Sequence, residues 1–184
     1  GSIKVLGNEV SQLPIEELDI LRARIGFVFQ SSALYDSMTV RENLEFPLRR
    51  HGKHKSKSEI QDLVEETLKD VGLLNAINFM PSELSGGMRK RIGLARSLIL
   101  HPEIMLYDEP TTGLDPITSS EIINLMLNVQ KKYNTTSITI SHDMHCARVT
   151  GNRLAVIVNG VNYADGTFDE LSTLNDPQTH PFFE

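Results

Sequence analysis

Apolar positions along the chain follow two spacings, which alternate from one end of the sequence to the other. Short apolar runs predict strands at residues 3–6, 24–29, 104–107, 137–140 and 154–158. Apolar residues that recur every three or four positions predict helices beginning near residues 15, 40, 60, 86 and 117. Because strands and helices alternate, the pattern predicts an α/β fold with a mostly parallel sheet, and Asn159-Gly160 predicts a hairpin at one edge of it.

The middle of the chain, residues 31–84, carries helical patterns and no strand pattern. Thr39 with Glu42, and Ser56 with Glu59, have the spacing of capping boxes, so each pair predicts a helix start. Pro47 is expected to end or kink the first of these helices. We therefore predict three parts, which are an N-terminal part of the core (1–30), a helical subdomain (31–95) and the rest of the core (96–184).

Composition and charge narrow the class of protein. The chain has 184 residues, of which 40% are hydrophobic and 23% charged, as in soluble globular proteins. A net charge of −6 argues against nonspecific nucleic-acid binding, and a single cysteine excludes an internal disulfide framework. No apolar run is long enough to cross a bilayer, so a cytosolic location is expected. The basic cluster at residues 49–57 is interpreted first as a solvated loop, and second as a contact for a partner or lipid headgroups.

A turn made of Ser85, Gly86 and Gly87 precedes a basic stretch with helical spacing. The backbone N–H groups at a helix N-terminus lack intrahelical partners, and the helix dipole adds partial positive charge, so such a turn can bind an anion. On these three residues alone, an ordinary serine N-cap with a flexible turn is the favoured explanation. Both interpretations stay open on this stretch alone.

Four polar residues each follow an apolar strand, namely Gln30, Asp108, Glu109 and His142. The ends of parallel strands gather at one edge of a sheet, so these side chains are expected to surround one ligand. These types of side chain suit phosphoryl transfer to water. Asp108 and Gln30 could bind magnesium, Glu109 could deprotonate the attacking water, and His142 could hydrogen-bond a terminal phosphate. Taken singly, each residue is equally compatible with an ordinary turn or a satisfied polar group.

These stretches together resemble the nucleotide-binding subunits of ATP-binding-cassette (ABC) transporters. The matching motifs are the signature (84–88, with Met88 where Gln is commonest), the Walker B strand (104–109), the D-loop (113–115), the Q-loop glutamine Gln30 and the switch histidine His142. The resemblance implies a P-loop ATPase core, ATP and Mg²⁺ as cofactors, and ATP hydrolysis coupled to transport.

The resemblance also implies partners. Two such subunits form a head-to-tail homodimer, in which Ser85, Gly86 and Gly87 contact a nucleotide held mainly by the other subunit and Asp115 links the two sites. Gln30, Asp108, Glu109 and His142 would act on the nucleotide of their own subunit. A transmembrane permease would dock near Gln30 and residues 31–48, placing the protein on the cytoplasmic face of the membrane, and no nucleic acid is expected as a partner.

The stretches most similar to the ATPases of Mla-type phospholipid transporters are residues 32–40, 42–44, 46–48, 87–91 and 115–118. Phospholipid is therefore the expected cargo, and amino-acid or lipoprotein transport is the alternative because related ATPases share much of this pattern. An ABC-type ATPase of DNA repair is disfavoured by the acidic charge and by the lack of a coiled-coil insertion.

One family motif has no match. The Walker A loop, Gly-x-x-x-x-Gly-Lys-Ser/Thr, cradles the phosphates with backbone amides and a lysine, but the one Gly-Lys pair, Gly52-Lys53, lacks its other residues. We expect the chain to begin just after the Walker A helix of a longer ATPase, and this chain alone to be inactive and to bind ATP weakly or not at all. A non-hydrolysing interaction module is the alternative.

Overall fold

The structure, a computed structural model, describes residues 1–51 and 55–183. Its strands are β1 (Lys4–Val5), β2 (Asn8–Glu9), β3 (Ile25–Val28), β4 (Ile104–Asp108), β5 (Thr136–Ile140), β6 (Leu154–Val158) and β7 (Val161–Gly166). Its helices are α1 (Ile15–Ala23), α2 (Val40–His51), α3 (Lys57–Asp70), α4 (Gly86–Leu98), α5 (Pro116–Tyr133), α6 (Met144–Thr150) and α7 (Phe168–Ser172). The predicted α/β fold is confirmed.

The central sheet is parallel, with strand order β3-β4-β5. Val28 pairs with Tyr107, and Asp108 pairs with Ile140, so the three strands end at nearly the same level. The polar residues that follow the strands are therefore collected at one edge, as the sequence predicts.

One face of this sheet is the centre of the core. Val28, Met105 and Tyr107 point to that face and are at most 4% exposed. They pack against apolar residues of two covering helices, Leu94 and Leu98 of α4 and Ile122, Met126 and Val129 of α5. The alternation of buried and partly exposed residues along β4 follows from the two-residue period of a strand.

The opposite face of the sheet has no cover among residues 1–51 and 55–183. Phe27, Leu106 and Ile138 lie side by side on it, in register across the three strands. Phe27 is 40% exposed, Ile138 60% and Ile140 65%. Parallel sheets are normally covered on both faces, so this apolar face is an unpartnered surface of the described chain.

A second buried cluster holds the helices together. Val40, Leu44 and Leu48 of α2 pack against α3 and α4, and all three are at most 1% exposed. Both predicted capping boxes are present. The backbone N–H of Thr39 donates to Glu42 at 2.8 Å, and Ser56 is the N-cap of α3 with Glu59 as its reciprocal partner.

Asn43 is a fully buried polar residue within this cluster. Its Oδ1 accepts the backbone N–H of Tyr35 at 2.8 Å, and its Nδ2 lies within 3.1 Å of the carbonyl oxygens of Tyr35, Met38 and Thr39. A buried amide is tolerated because its donors and acceptor are satisfied. Asn43 therefore fixes the path of the loop that enters α2.

Two expectations from the sequence are wrong in detail. Of the two outcomes expected at Pro47, an end or a kink of the helix, the end does not occur: α2 continues to His51, because Leu44 and Leu48 on its buried face hold both sides of the proline in the core. The β6–β7 hairpin turns at Asn159 and Gly160 as predicted, but in the described chain it pairs only with itself and not with the parallel sheet. The Gly52-Lys53 pair and part of the basic cluster lie outside the described residues.

Within the described residues, no helix is both long and apolar enough to cross a membrane.

Candidate nucleotide site

The Ser85 turn forms the start of α4. Ser85 is the N-cap, and its Oγ accepts the backbone N–H of Met88 at 3.3 Å. Gly86 and Gly87 are the first two residues of the helix, where backbone N–H groups lack intrahelical acceptors. The N-cap interpretation of Ser85 is therefore right, and it leaves a helix N-terminus of the kind that binds anions.

Gly87 brings α4 into close contact with α5. A Cβ atom at Gly87 would lie 2.6 Å from Cγ2 of Thr118. Thr118 is held in place by Asp115, the N-cap of α5, which accepts the Thr118 hydroxyl at 2.6 Å and the backbone N–H groups of Ile117 and Thr118. The hydrogen bond from Thr118 is the largest cause that lowers the pKa of Asp115. The predicted signature thus lies against the first turn of the helix that the D-loop residue Asp115 caps.

Gly87→Ala is expected to destabilise the protein through this contact. Overpacking costs about 1–3 kcal/mol, which outweighs the gain of about 1 kcal/mol from replacing a helical glycine by alanine. Thr118→Ser removes the methyl group but keeps the hydroxyl that Asp115 accepts, so it should rescue Gly87→Ala. Urea denaturation of the two single variants and the double variant measures this coupling. Strictly additive free energies of unfolding would contradict the contact.

Glu109 and His142 form a pair beyond the ends of β4 and β5. His142 Nδ1 lies 2.8 Å from Glu109 Oε2, and the Thr112 hydroxyl donates to the same oxygen at 2.9 Å. The Glu109 side chain is 19% exposed, whereas that of His142 is 76% exposed. The structure thus places a shielded carboxylate beside an accessible imidazole.

The electrostatics of the pair favour its charged form. Burial raises the pKa of Glu109, but hydrogen bonds from His142 and Thr112 outweigh it, so the pKa of this carboxyl lies below its usual value. The hydrogen bond to Glu109 in turn raises the pKa of His142. A carboxylate that stays ionised is able to accept a proton from water.

The backbone of Glu109 is also unusual. Its φ of 48° lies in the left-handed region, which costs a residue with a Cβ about 1–3 kcal/mol and is found mainly at functional sites. The Glu109 N–H donates to the Ile140 carbonyl at 2.9 Å, which ties the end of β4 to the end of β5. The surrounding strands therefore hold the conformation that directs the Glu109 side chain towards His142.

Asp108 and Gln30 are the predicted metal ligands. Asp108 is the last residue of β4 and is half-buried, and Gln30 lies two residues beyond β3 with its side chain exposed. Within residues 1–51 and 55–183, no group of three or more His, Cys, Asp or Glu side chains could hold a metal. One carboxylate and one amide oxygen nevertheless suit Mg²⁺, which takes few protein ligands and keeps water and phosphate oxygens.

Two residues that the sequence interpretation missed lie in the same region. Lys90 of α4 is 7% exposed, and its Nζ donates to the carbonyl oxygens of Gln30 at 2.7 Å and Glu109 at 3.1 Å. Thr112 contacts Glu109, as described above. The available signal for Lys90 was its helical spacing from Gly93 and Ser97, which puts three small or polar residues on one side of α4.

Solved structures identify the class of fold as that of ABC ATPase cassettes, within the P-loop NTPases. The dimeric, post-hydrolysis state of the ATP-binding cassette MJ0796 bound to ADP and Pi matches with a TM-score of 0.81 and 31% sequence identity, over 91% of this chain and 73% of that chain. A second dimeric structure of the same bacterial ABC transporter cassette gives a TM-score of 0.80.

The family follows from the sequence. The family model described as ABC transporter matches residues 1–112, and the chain belongs to this family. It is 40% identical over 173 residues, or 94% of its length, to the methionine import ATP-binding protein MetN 2 of Bacillus cereus. It is 37% identical over 182 residues, or 99% of its length, to the probable ribonucleotide transport ATP-binding protein mkl of Mycobacterium leprae. The chain spans 50% and 52% of these two relatives.

Proposed function

We propose that this chain is part of the ATP-hydrolysing subunit of an ABC transporter. The single observation that carries the proposal is the Glu109–His142 pair at the ends of adjacent parallel strands. Glu109 orients the attacking water and takes its proton. His142 moves away from Glu109 and donates a hydrogen bond to the terminal phosphate. Asp108 and Gln30 would hold Mg²⁺, and the bound ion would supply positive charge against the phosphates.

Because the chain spans about half of the curated relatives it matches, the activity of the whole protein belongs to this proposal. The sequence contains no Walker A pattern among its 184 residues. We propose that a Walker A helix covers the apolar sheet face of Phe27, Leu106 and Ile138 in the active ATPase. Such a helix would supply the second cover that parallel sheets require and would set its phosphate cradle beside Asp108.

Residues 31–48 are the proposed docking site for the permease. Tyr35 is 42% exposed and Phe46 is 39% exposed, and their rings lie 4.8 Å apart between centroids. Asn43 holds the loop that carries Tyr35, so these aromatic groups form a fixed apolar surface on the helical subdomain, residues 31–95. Through the permease, the subunit would sit on the cytoplasmic face of the membrane.

Two classes of molecule are candidates for the transported cargo. Phospholipid is the first candidate, supported by the Mla-like stretches around the Q-loop, the signature and the D-loop. An amino acid is the second candidate, supported by the 40% identity to a methionine import ATP-binding protein. Relatives with different cargo names match this chain almost equally well, so the cargo is expected to be selected by the membrane subunit.

Reconstitution of the complete ATPase with its permease in vesicles tests the function and the cargo together. ATP-dependent transfer of a fluorescent phospholipid between membranes is the expected result. Uptake of radiolabelled methionine without lipid transfer would favour the second candidate. The absence of permease-stimulated ATP hydrolysis would contradict the proposed function itself.

A further inference from the structure

Lys90 has no role in the hydrolysis described so far. Lysine side chains are almost never buried unless they are paired, and Lys90 is 7% exposed. Its partners are not carboxylates but two main-chain carbonyls, those of Gln30 and Glu109. Both acceptors belong to residues with a proposed part in the chemistry, and they follow the ends of two different strands, β3 and β4.

The contact at Glu109 acts on a strained segment. Glu109 has a positive φ, and its N–H is held by Ile140 of β5. Its carbonyl oxygen accepts a hydrogen bond from Lys90 Nζ at 3.1 Å, so both the N–H and the carbonyl group of Glu109 are hydrogen-bonded. Since the side-chain direction of Glu109 depends on its backbone conformation, Lys90 helps to set where the carboxylate lies.

The contact at Gln30 is one of several between α4 and the stretch that runs from β3 to Ala33. The Ser97 hydroxyl donates to the Phe27 carbonyl at 2.7 Å, and Arg96 donates to the Ala33 carbonyl at 2.7 Å. Lys90 and Ser97 are seven positions apart and therefore lie on one side of α4. Lys90 is the member of this set that reaches the end of β4 as well as the Q-loop.

Helix α4 also begins at the signature turn. Ser85 caps it, and Lys90 lies five positions later in the same helix. A shift of the helix N-terminus would therefore move the Lys90 ammonium with it, because an α-helix of this length behaves as a rigid element. One side chain thereby connects the signature, the Q-loop backbone and the backbone of the catalytic glutamate.

We propose that Lys90 is a positioning residue for ATP hydrolysis. Its hydrogen bonds fix the backbone positions of Gln30 and Glu109 relative to α4, the helix that begins at the signature turn. The inference rests on the proposed function, because it assigns Glu109 and Gln30 to the reaction. Engagement of the signature turn by the nucleotide of a second subunit would then align the groups that act on the first subunit's own nucleotide.

The size of the site decides which substitutions are informative. Lys90 and Tyr107 both line a cavity of about 10 Å³, which is about the volume that one water molecule needs. A guanidinium is larger than an ammonium, so Lys90→Arg would change the packing beside this cavity as well as the positioning contacts. Lys90→Met keeps an unbranched stem and removes the N–H donors, whereas Lys90→Gln keeps an N–H donor on a shorter side chain.

The test uses the complete ATPase with its permease and measures kcat and the KM for ATP. Lys90→Met is expected to lower kcat by about 10- to 100-fold, as misplacement of a catalytic group by about 1 Å does, with KM changed less than about twofold. Lys90→Gln is expected to fall between Lys90→Met and the unchanged protein. Lys131→Met removes an exposed lysine of α5 and is expected to leave both constants unchanged.

The possible outcomes separate the two proposals. No ATP turnover by the unchanged complex would overturn the proposed function, whatever the variants do. Normal turnover by the complex together with an unchanged kcat in Lys90→Met would overturn the positioning role, as would a kcat loss matched by an equal loss of ATP affinity. If Lys90→Met does not fold, Lys90→Gln decides, and an unchanged kcat there would overturn the role.

Discussion

Replacing Glu109 by Gln in the complete ATPase is expected to preserve ATP binding and to lower kcat by about 10²- to 10⁴-fold. The amide has nearly the same shape as the carboxylate and still offers an oxygen to the Thr112 hydroxyl, which donates to Glu109 at 2.9 Å. It cannot take a proton from water, so the general-base contribution is lost. Binding of Mg-ATP depends on other groups and should change little.

Two measurements check this prediction. Phosphate release reports turnover, and calorimetric titration with Mg-ATP reports affinity. Glu16→Gln is a matched control, since Glu16 is an exposed residue of the first turn of α1 and the same chemical change there should have no effect. Turnover that is unchanged in Glu109→Gln would remove Glu109 from the catalytic role.

The part of the site that follows strands was predictable from the sequence. Gln30, Asp108, Glu109 and His142 each come after a short apolar run, and the topology of a parallel sheet gathers such residues at one edge. Local capping rules located the helix starts in the same way. These features depend on short-range patterns, which a sequence displays directly.

The parts that were missed depend on contacts between distant residues. Lys90 is separated from Gln30 by 60 positions, and its partners are backbone atoms, which leave no mark on residue type. Pro47 was expected to end or kink α2, but the helix continues beyond it because burial of the neighbouring leucines outweighs the lost hydrogen bond. The division of the chain at residues 30 and 95 stays a prediction.

The head-to-tail homodimer that the family resemblance implies predicts an equally large effect in mixed dimers. In this arrangement, each nucleotide lies between Glu109 and His142 of one subunit and the Ser85 turn of the other. Ser85→Arg puts a large side chain at the α4 N-terminus and removes the cap that accepts the Met88 N–H, so it should abolish the contribution of that turn. A mixed dimer can carry Ser85→Arg and Glu109→Gln in the same subunit, or one substitution in each subunit.

The two placements give opposite results. With Ser85→Arg in one subunit and Glu109→Gln in the other, both lesions fall in one nucleotide site and the second site is intact, so roughly half of the turnover should remain. With both substitutions in one subunit and none in the other, each site carries one lesion. Turnover should then be close to zero.

The most direct test of the composite site is therefore the ATPase rate of dimers purified through two different affinity tags, one on each subunit, in the two placements. The composite site predicts activity when the substitutions are in opposite subunits and its loss when they share a subunit. Activity in the shared placement, with loss in the opposite placement, would show that Ser85 serves the nucleotide of its own subunit and would contradict the composite site.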